Sequence, residues 1–323
     1  MTLEQLRIFV AVAEREHVTR AAAELKLTQS ATSAAIAALE ARYAIKLFNR
    51  IGRRIELTQT GRLFLVEARA VLARATAAET VLADIAGLKR GSLTLAASQT
   101  VGNYWLPPLM HRYRTRYPGI ALTLNIANTE IVAAKVREGI ANLGFVEGPI
   151  DDPALSVIPI AEDELVLVIG ALLPRPEGQP VSPPELKAMR WVCREPGSAT
   201  RALFEKAMTK AGLRISEIDM VLELPSNEAV RAAVADGAGA AVLSKLVVAP
   251  SIKAGSLIGL DFDLPKRRFF ALHHKDRSIT QAERELFKFI EAATQPGNRR
   301  NDASARLKQT MTPNSGHPTI RTA

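Results

Sequence analysis

Apolar positions change their spacing several times along the chain, and each change marks a new element. Leu3, Leu6, Val10 and Ala13 recur at helical spacing behind Thr2, a residue suited to N-capping. Thr19 to Leu25 predicts a second, short helix rich in Ala21, Ala22 and Ala23. Thr28 is placed to cap a third helix, whose buried face is Ile36 and Leu39. Two short helices joined by about three residues, with alanines where they cross, form the pattern of a helix-turn-helix. Ile45 to Thr58 then predicts a small hairpin or wing, with Gly52, Arg53 and Arg54 near its tip between two apolar runs.

From Thr60 to Ala86 the pattern is one long helix. Phe64, Ala68, Val71, Ala75, Ala78, Leu82 and Ile85 step alternately by four and three residues, an apolar heptad seam. Leu63, Val66, Ala70, Ala73, Ala77 and Val81 form a second row beside it. A helix with two such rows needs a partner, so a dimerisation helix is expected, with packing on its own domain as the alternative.

Beyond Gly91, apolar strands alternate with helices. The strands are Ser92–Ala97, Ile120–Ala127, Leu143–Val146, Glu164–Ile169, Arg190–Cys193, Met220–Leu224, Ala240–Leu243 and Phe269–His273. The helices are Tyr104–Tyr117, Glu130–Glu138, Ala199–Ala211, Asn227–Asp236 and Gln281–Ala293. This alternation predicts parallel sheets. It divides into two similar α/β halves with a boundary near residue 163, and the strand and helix after Pro265 return to the first half. Pro174 to Pro184 is expected to be a surface connection, and residues 296–323 a disordered basic tail.

Charge sharpens this division. The net charge of +9 over 323 residues is not spread evenly. Residues 1–90 hold 14 Lys and Arg against 9 Asp and Glu, residues 91–295 hold 23 against 23, and residues 296–323 hold 5 against 1. A basic N-terminal module suggests a polyanionic partner. No stretch approaches the length of an uncharged apolar membrane span, and Glu4, Arg7, Glu14 and Arg15 interrupt the N-terminus, so neither a transmembrane helix nor a signal peptide is expected. A cytoplasmic, bacterial-type protein is the expectation. The single Cys193 excludes an intrachain disulfide and a cysteine-based zinc site. The histidines show no metal spacing, and there is no phosphate-binding glycine loop, so neither a metal nor a cofactor is expected.

The segment TRAAAELKLTQSATSAAIAALEARYAIKLFNRIGRRIELTQTG resembles the winged helix-turn-helix of LysR-type transcriptional regulators. The ordered match runs through Ala21-Ala22, Leu25, Thr28-Gln29-Ser30, Ser33, Ile36, Leu39-Glu40, Leu47-Phe48, Arg50, Arg54, Leu57-Thr58 and Gly61. The resemblance implies a winged domain at 1–59, a linker and dimerisation helix at 60–90, and a two-lobed effector domain at 91–295 like a periplasmic binding protein. Lobe I would comprise 91–162 and 268–295, and lobe II 163–267. It also implies double-stranded promoter DNA as partner and a homodimer that pairs into a tetramer; RNA polymerase is a further candidate partner. On this reading Gln29, Ser30, Thr32 and Ser33 at the start of the recognition helix face bases or phosphates, with Arg20 beside them. Arg50, Arg53 and Arg54 on the wing suit phosphates or the minor groove.

In folds of this kind the ligand lies between the lobes, at loops that follow strand ends. The candidates in lobe I are Ser98, Gln99 and Thr100, with Asn128, Thr129 and Glu147 behind other strands. Those in lobe II are Gly197, Ser198, Thr200 and Arg201 in the segment REPGSATR, with Asn227. Free amides and hydroxyls at a helix start make an anion site. REPGSATR and the GFVEG of Gly144–Gly148 resemble family members that respond to sulfite or sulfate, and the Calvin-cycle regulators. A small anionic metabolite is therefore the expected effector, sulfite or sulfate first and phosphorylated acids second. Glu147 would repel an anion and is expected to pair with Arg201 or another cation. A two-lobed α/β enzyme using Ser98 or Cys193, or a cytoplasmic solute-binding protein, would leave the N-terminal pattern unexplained.

Overall fold

The computed structural model describes residues 1–51, 54–85, 91–148, 150–173 and 180–294. The chain begins with α1 (Leu3–Arg15), α2 (Val18–Glu24) and α3 (Gln29–Tyr43). Local chemistry sets their starts. Thr2 and Gln5 form a reciprocal capping box on α1, and Thr28 Oγ1 accepts the Ala31 amide at the head of α3. The hairpin β1 (Phe48–Ile51) and β2 (Arg54–Leu57) follows, paired antiparallel from Phe48↔Leu57 to Ile51↔Arg54. The Glu40 carboxylate fastens α3 to it, accepting the Leu47 and Phe48 amides at 2.7 and 3.2 Å. Leu6, Phe9, Val12, Ala21, Leu39 and Leu47 fill the core of this domain.

The long helix α4 (Gln59–Ile85) begins against the hairpin. Gly61 is required there, because a Cβ would lie 2.2 Å from the Leu47 carbonyl oxygen. Phe64, Leu65, Ala68 and Leu72 pack into the winged-domain core, and Phe64 meets the Phe9 ring at 4.9 Å. The first positions of the expected seam are therefore used within the chain. Among the described side chains of α4, the large apolar ones left exposed are Leu63 and Leu82, at 69% and 68%, with Val66 and Val71 less so.

The remainder forms two lobes, each around a five-stranded sheet. Lobe I holds β3 (Gly91–Ser98), α5 (Leu106–Arg116), β4 (Ile120–Ala127), α6 (Thr129–Arg137), β5 (Leu143–Glu147) and β6 (Leu155–Asp163). A π-helical turn, Val101–Trp105, leads into α5. Lobe II holds β7 (Leu165–Gly170), α7 (Pro183–Ala188), β8 (Arg190–Arg194), α8 (Ala199–Lys210), β9 (Asp219–Leu224), α9 (Asn227–Ala235), β10 (Ala240–Ser244), α10 (Lys245–Lys253) and β11 (Leu257–Leu260). The chain then returns to lobe I as β12 (Arg267–His274) and α11 (Gln281–Thr294).

Strand order is β4-β3-β5-β12-β6 in lobe I and β11-β7-β10-β8-β9 in lobe II. The sheets are mixed, not parallel. β12 runs antiparallel to both β5 and β6, and β7 runs antiparallel to both β10 and β11. The expectation of parallel sheets fails at the strands that carry the chain between lobes, since each crossing reverses direction. Residues 296–323, expected to be a disordered tail, lie outside the described residues, as do Gly52 and Arg53 at the wing tip. Among the described residues no helix is long and apolar enough to cross a membrane.

Candidate functional site

Two places bring the sequence candidates together. The first is the head of α3. Arg20, Gln29 and Ser30 are exposed there, and Ser33 is half-buried one turn on. Ser30 Oγ lies 3.1 Å from Thr28 Oγ1, so the cap and its neighbour share one hydroxyl contact. Thr32 is a correction. It is fully buried and its hydroxyl donates to the Thr28 carbonyl at 3.1 Å, so it is turned away from any partner. It shares the inward face with Ile36 and Leu39, four and seven residues on. Ala34, Ala37 and Ala38 are exposed, which leaves this helix few long polar side chains. Arg50 and Arg54 stand opposite each other's neighbours in the hairpin, but their side chains lie outside the described residues, as does the whole of Arg53.

The second place is the junction of the lobes, where strand ends from both sheets converge. From lobe I, Ser98 ends β3 and its hydroxyl donates to the Phe145 carbonyl at 3.4 Å. The Thr100 amide donates to Glu147 Oε1 at 3.0 Å, joining the first loop to the end of β5. Across the junction, Asn227 Nδ2 donates to Thr100 Oγ1 at 3.1 Å, and Asn227 Oδ1 accepts from Arg194 Nη1 at 2.6 Å. Gln99 reaches the Pro225 carbonyl at 3.3 Å, and the Glu130 amide reaches the Gly197 carbonyl at 3.4 Å. Gly197 has φ +83°, and a Cβ there would fall 2.8 Å from Glu130 Oε2. Only glycine lets the loops touch this closely.

Ser98, Thr100, Thr129, Glu147, Ser198, Thr200 and Asn227 are all buried at this junction. Asn128 caps α6 through the Ile131 amide, while its own amide nitrogen points at the Pro196 carbonyl. Thr129 is 6% exposed and its hydroxyl oxygen has no hydrogen-bond partner. A buried hydroxyl without a partner is costly, which marks a place where a further polar group fits. A cleft of about 1000 Å³ opens beside it, bounded by Thr129, Arg137, Gly148, Ser198, Arg201 and Lys206 among others.

Two arginines that supply the buried positive charge escaped the sequence reading of the site. Arg194 ends β8 and is gripped by both oxygens of Glu195 at 2.8 and 2.9 Å as well as by Asn227. Arg267 opens β12 and binds Asp163 through Nε at 2.7 Å and again through Nη2, while Nη1 donates to Thr200 Oγ1 at 3.0 Å. Asp163 also accepts from Ser244 at 2.8 Å. Arg194 stands first in the loop segment REPGSATR, and Arg267 precedes the predicted strand Phe269–His273. No local signal marks either arginine as buried, since their partners Asn227 and Asp163 are distant in sequence.

Arg201 borders the cleft, with its guanidinium held by Glu205 at 2.5 Å, Glu223 at 3.4 Å and the Arg194 carbonyl at 3.0 Å. It does not pair with Glu147. Cys193 is buried in β8, and burial pushes its thiol up to about 11, so no reactive thiolate forms near neutrality. His273 is tied to the Arg277 carbonyl at 3.0 Å. Among the described residues no cluster of His, Cys, Asp and Glu is fit to hold a metal ion.

Comparison with known proteins matches residues 3–62 to the family described as "Bacterial regulatory helix-turn-helix protein, lysR family", and residues 86–295 to "LysR substrate binding domain". The uncharacterised HTH-type transcriptional regulator YeiE of Escherichia coli K12 is 33% identical over 298 residues, covering 92% of this chain and 99% of that protein. A probable RuBisCO transcriptional regulator of Cyanophora paradoxa is 32% identical over 259 residues, covering 79% of this chain and 80% of that protein. Among solved structures, the regulatory domain of Synechocystis PCC6803 CcmR in complex with 2-PG superposes with a TM-score of 0.59 at 26% identity, covering 64% of this chain and 99% of that one. The relatives are transcriptional regulators and not enzymes, and the likeness to RuBisCO regulators agrees with the Calvin-cycle resemblance of the sequence.

Proposed function

This chain belongs to the LysR family of bacterial transcriptional regulators, and on that premise we propose that a small oxyanion between its lobes alters its grip on promoter DNA. α3 enters the major groove, where Gln29, Ser30 and Ser33 read bases or contact phosphates, with Arg20 and the wing arginines Arg50, Arg53 and Arg54 on the backbone. The exposed apolar residues of α4 pair two chains, and pairs associate into a tetramer in the cytoplasm. RNA polymerase is the further partner such a regulator meets at a promoter.

One observation carries the effector reading. Hydroxyls of Ser98, Thr100, Thr129, Ser198 and Thr200 converge at the lobe junction with two buried arginines, and Thr129 lacks a partner. An apolar effector would leave the Thr129 hydroxyl unsatisfied, whereas an oxyanion accepts from it. The similar CcmR domain carries 2-PG, which supports a phosphorylated acid beside sulfite and sulfate. Calorimetry with each anion class tests the reading. Thr100→Ala or Thr200→Val weakens the effector about tenfold while DNA affinity stays, because each removes one hydrogen bond of about 1–3 kcal/mol. If only apolar or aromatic compounds bind, the anion reading fails.

A further inference from the structure

The winged domain and lobe I meet without a shared apolar core. Among the described residues, the winged-domain cluster takes in Phe64, Leu65, Ala68 and Leu72 of α4 but nothing from lobe I, and the two clusters of lobe I take in nothing from α4. Hydrophobic burial is non-directional in any case, so it does not set the angle of one unit on the other.

Directional contacts do, and they converge on Arg69 of α4. Its Nη2 donates to Glu14 Oε1 on α1 at 2.9 Å, and its Nη1 to Glu138 Oε2 at the end of α6 at 3.2 Å. The partners lie 55 and 69 residues away, one in the winged domain and one in lobe I. The side chains of Arg69 and Glu138 are 22% and 20% exposed, so water and salt screen this pair less than one on the open surface. Arg69 Nε is buried and has no partner. The planar fork is therefore turned to serve the two carboxylates, at the expense of its remaining donor. Next to Glu138, Gly139 (φ +79°) rests directly on the same helix, since a Cβ there would fall 2.5 Å from Ala73 Cβ. Arg277 closes the joint from behind, donating to the Val136 and Arg137 carbonyls in the last turn of α6 at 3.4 and 3.3 Å.

We propose that Arg69 is a positioning residue for DNA binding. By tying α1 to the end of α6, it fixes the angle at which the winged domain, and α3 with it, stands on lobe I. In a paired regulator that angle sets how far apart the two recognition helices lie, and half-site spacing follows from that separation. The hold is made by Arg69, Glu14 and Glu138 alone and needs no occupant in the cleft.

The test measures the angle directly. Spin labels are placed at Ala23→Cys in α2 and Glu291→Cys in α11, both exposed positions, while the native Cys193 is buried and takes no label. The full-length labelled chain is coassembled with a large excess of unlabelled chain, so that double electron–electron resonance reads the distance within one protomer. The wild type is expected to give one narrow distance distribution. Arg69→Met and Glu138→Gln each lose it to a broad one, and the double variant is no broader than either single, because the two groups act on each other. Lys187→Met, which breaks the ion pair with Glu217 in lobe II, keeps the narrow distribution. Circular dichroism verifies that each variant is folded. Selection from a random duplex pool gives the functional readout: the wild type recovers paired half-sites at one spacing, and Arg69→Met loses that preference. A broad wild type overturns the proposal, as does a narrow distribution retained in Arg69→Met or Glu138→Gln, or a single spacing retained by Arg69→Met. If Arg69→Met does not fold, Glu138→Gln decides both readouts.

Discussion

Arg267→Met isolates the cost of an ion pair at the edge of lobe I, where its arginine also reaches Thr200 of lobe II. Arg267 lies on the strand that returns to lobe I, and Asp163 is the last residue of β6 before the chain leaves it. Their side chains are 0% and 2% exposed. Methionine fills much the same volume but removes two donors to Asp163 and one to Thr200. Asp163 is left with Ser244 alone, an uncompensated buried charge. Breaking one side of such a pair costs about 3–5 kcal/mol. For an effector domain of this size that lowers the melting temperature by roughly 6–20 °C. The double variant Arg267→Met/Asp163→Leu removes both charges and is expected to recover most of the loss, since a buried pair replaced by apolar groups is often neutral. Thermal unfolding of the wild type, both single variants and the double variant completes the cycle. A single variant that melts with the wild type refutes the reasoning. So does a double variant whose loss equals the sum of the two singles, because the groups would then not be acting on each other.

Gln29→Ala is expected to relax sequence choice by about 1–3 kcal/mol, while Arg53→Ala weakens all sequences alike and lowers the salt slope by about one; binding titrations on operator and random DNA at several salt concentrations separate them, and equal losses on both DNAs would remove Gln29 from base reading. Leu82→Glu, at an α4 position exposed in the single chain, is expected to shift sedimentation toward monomer, and an unchanged assembly would place the pairing surface elsewhere.

Much of the N-terminal domain was legible because its signals are local. Thr2 and Thr28 announce helix starts by their own hydroxyls, and the turn between α2 and α3 is only a few residues long. Thr32 was misread although the signal was present, since its spacing to Ile36 and Leu39 puts it on the buried face. The heptad seam of α4 was legible as a stripe but not as to its partner. Periodicity reports that a face is apolar, and Phe64 and Ala68 turn out to use theirs on α1 and the hairpin. β6 was missed because Pro159 and a run of acidic residues break its alternation, and β11 because Gly255 before it and Gly259 within it read as loop punctuation. Arg194 and Arg267 could not be told from surface arginines, since what buries them comes from residues 33 and 104 positions away. The hydroxyls of Ser98, Thr100, Ser198 and Thr200 were legible because each follows or precedes a strand end in its own segment.

β12 is an interior strand. It lies between β5 and β6, though it is made more than a hundred residues after β5. During synthesis, lobe II emerges as one continuous stretch and has every strand it needs before lobe I does. Lobe I waits with a gap in the middle of its sheet, and at ordinary elongation rates that wait lasts on the order of ten seconds. For that interval the facing edges of β5 and β6 are unpaired, the condition under which strands capture the wrong neighbour. The same insertion that seals the sheet delivers Arg267 to Asp163, so the nascent chain acquires its effector cleft and loses its most vulnerable edges in a single late event.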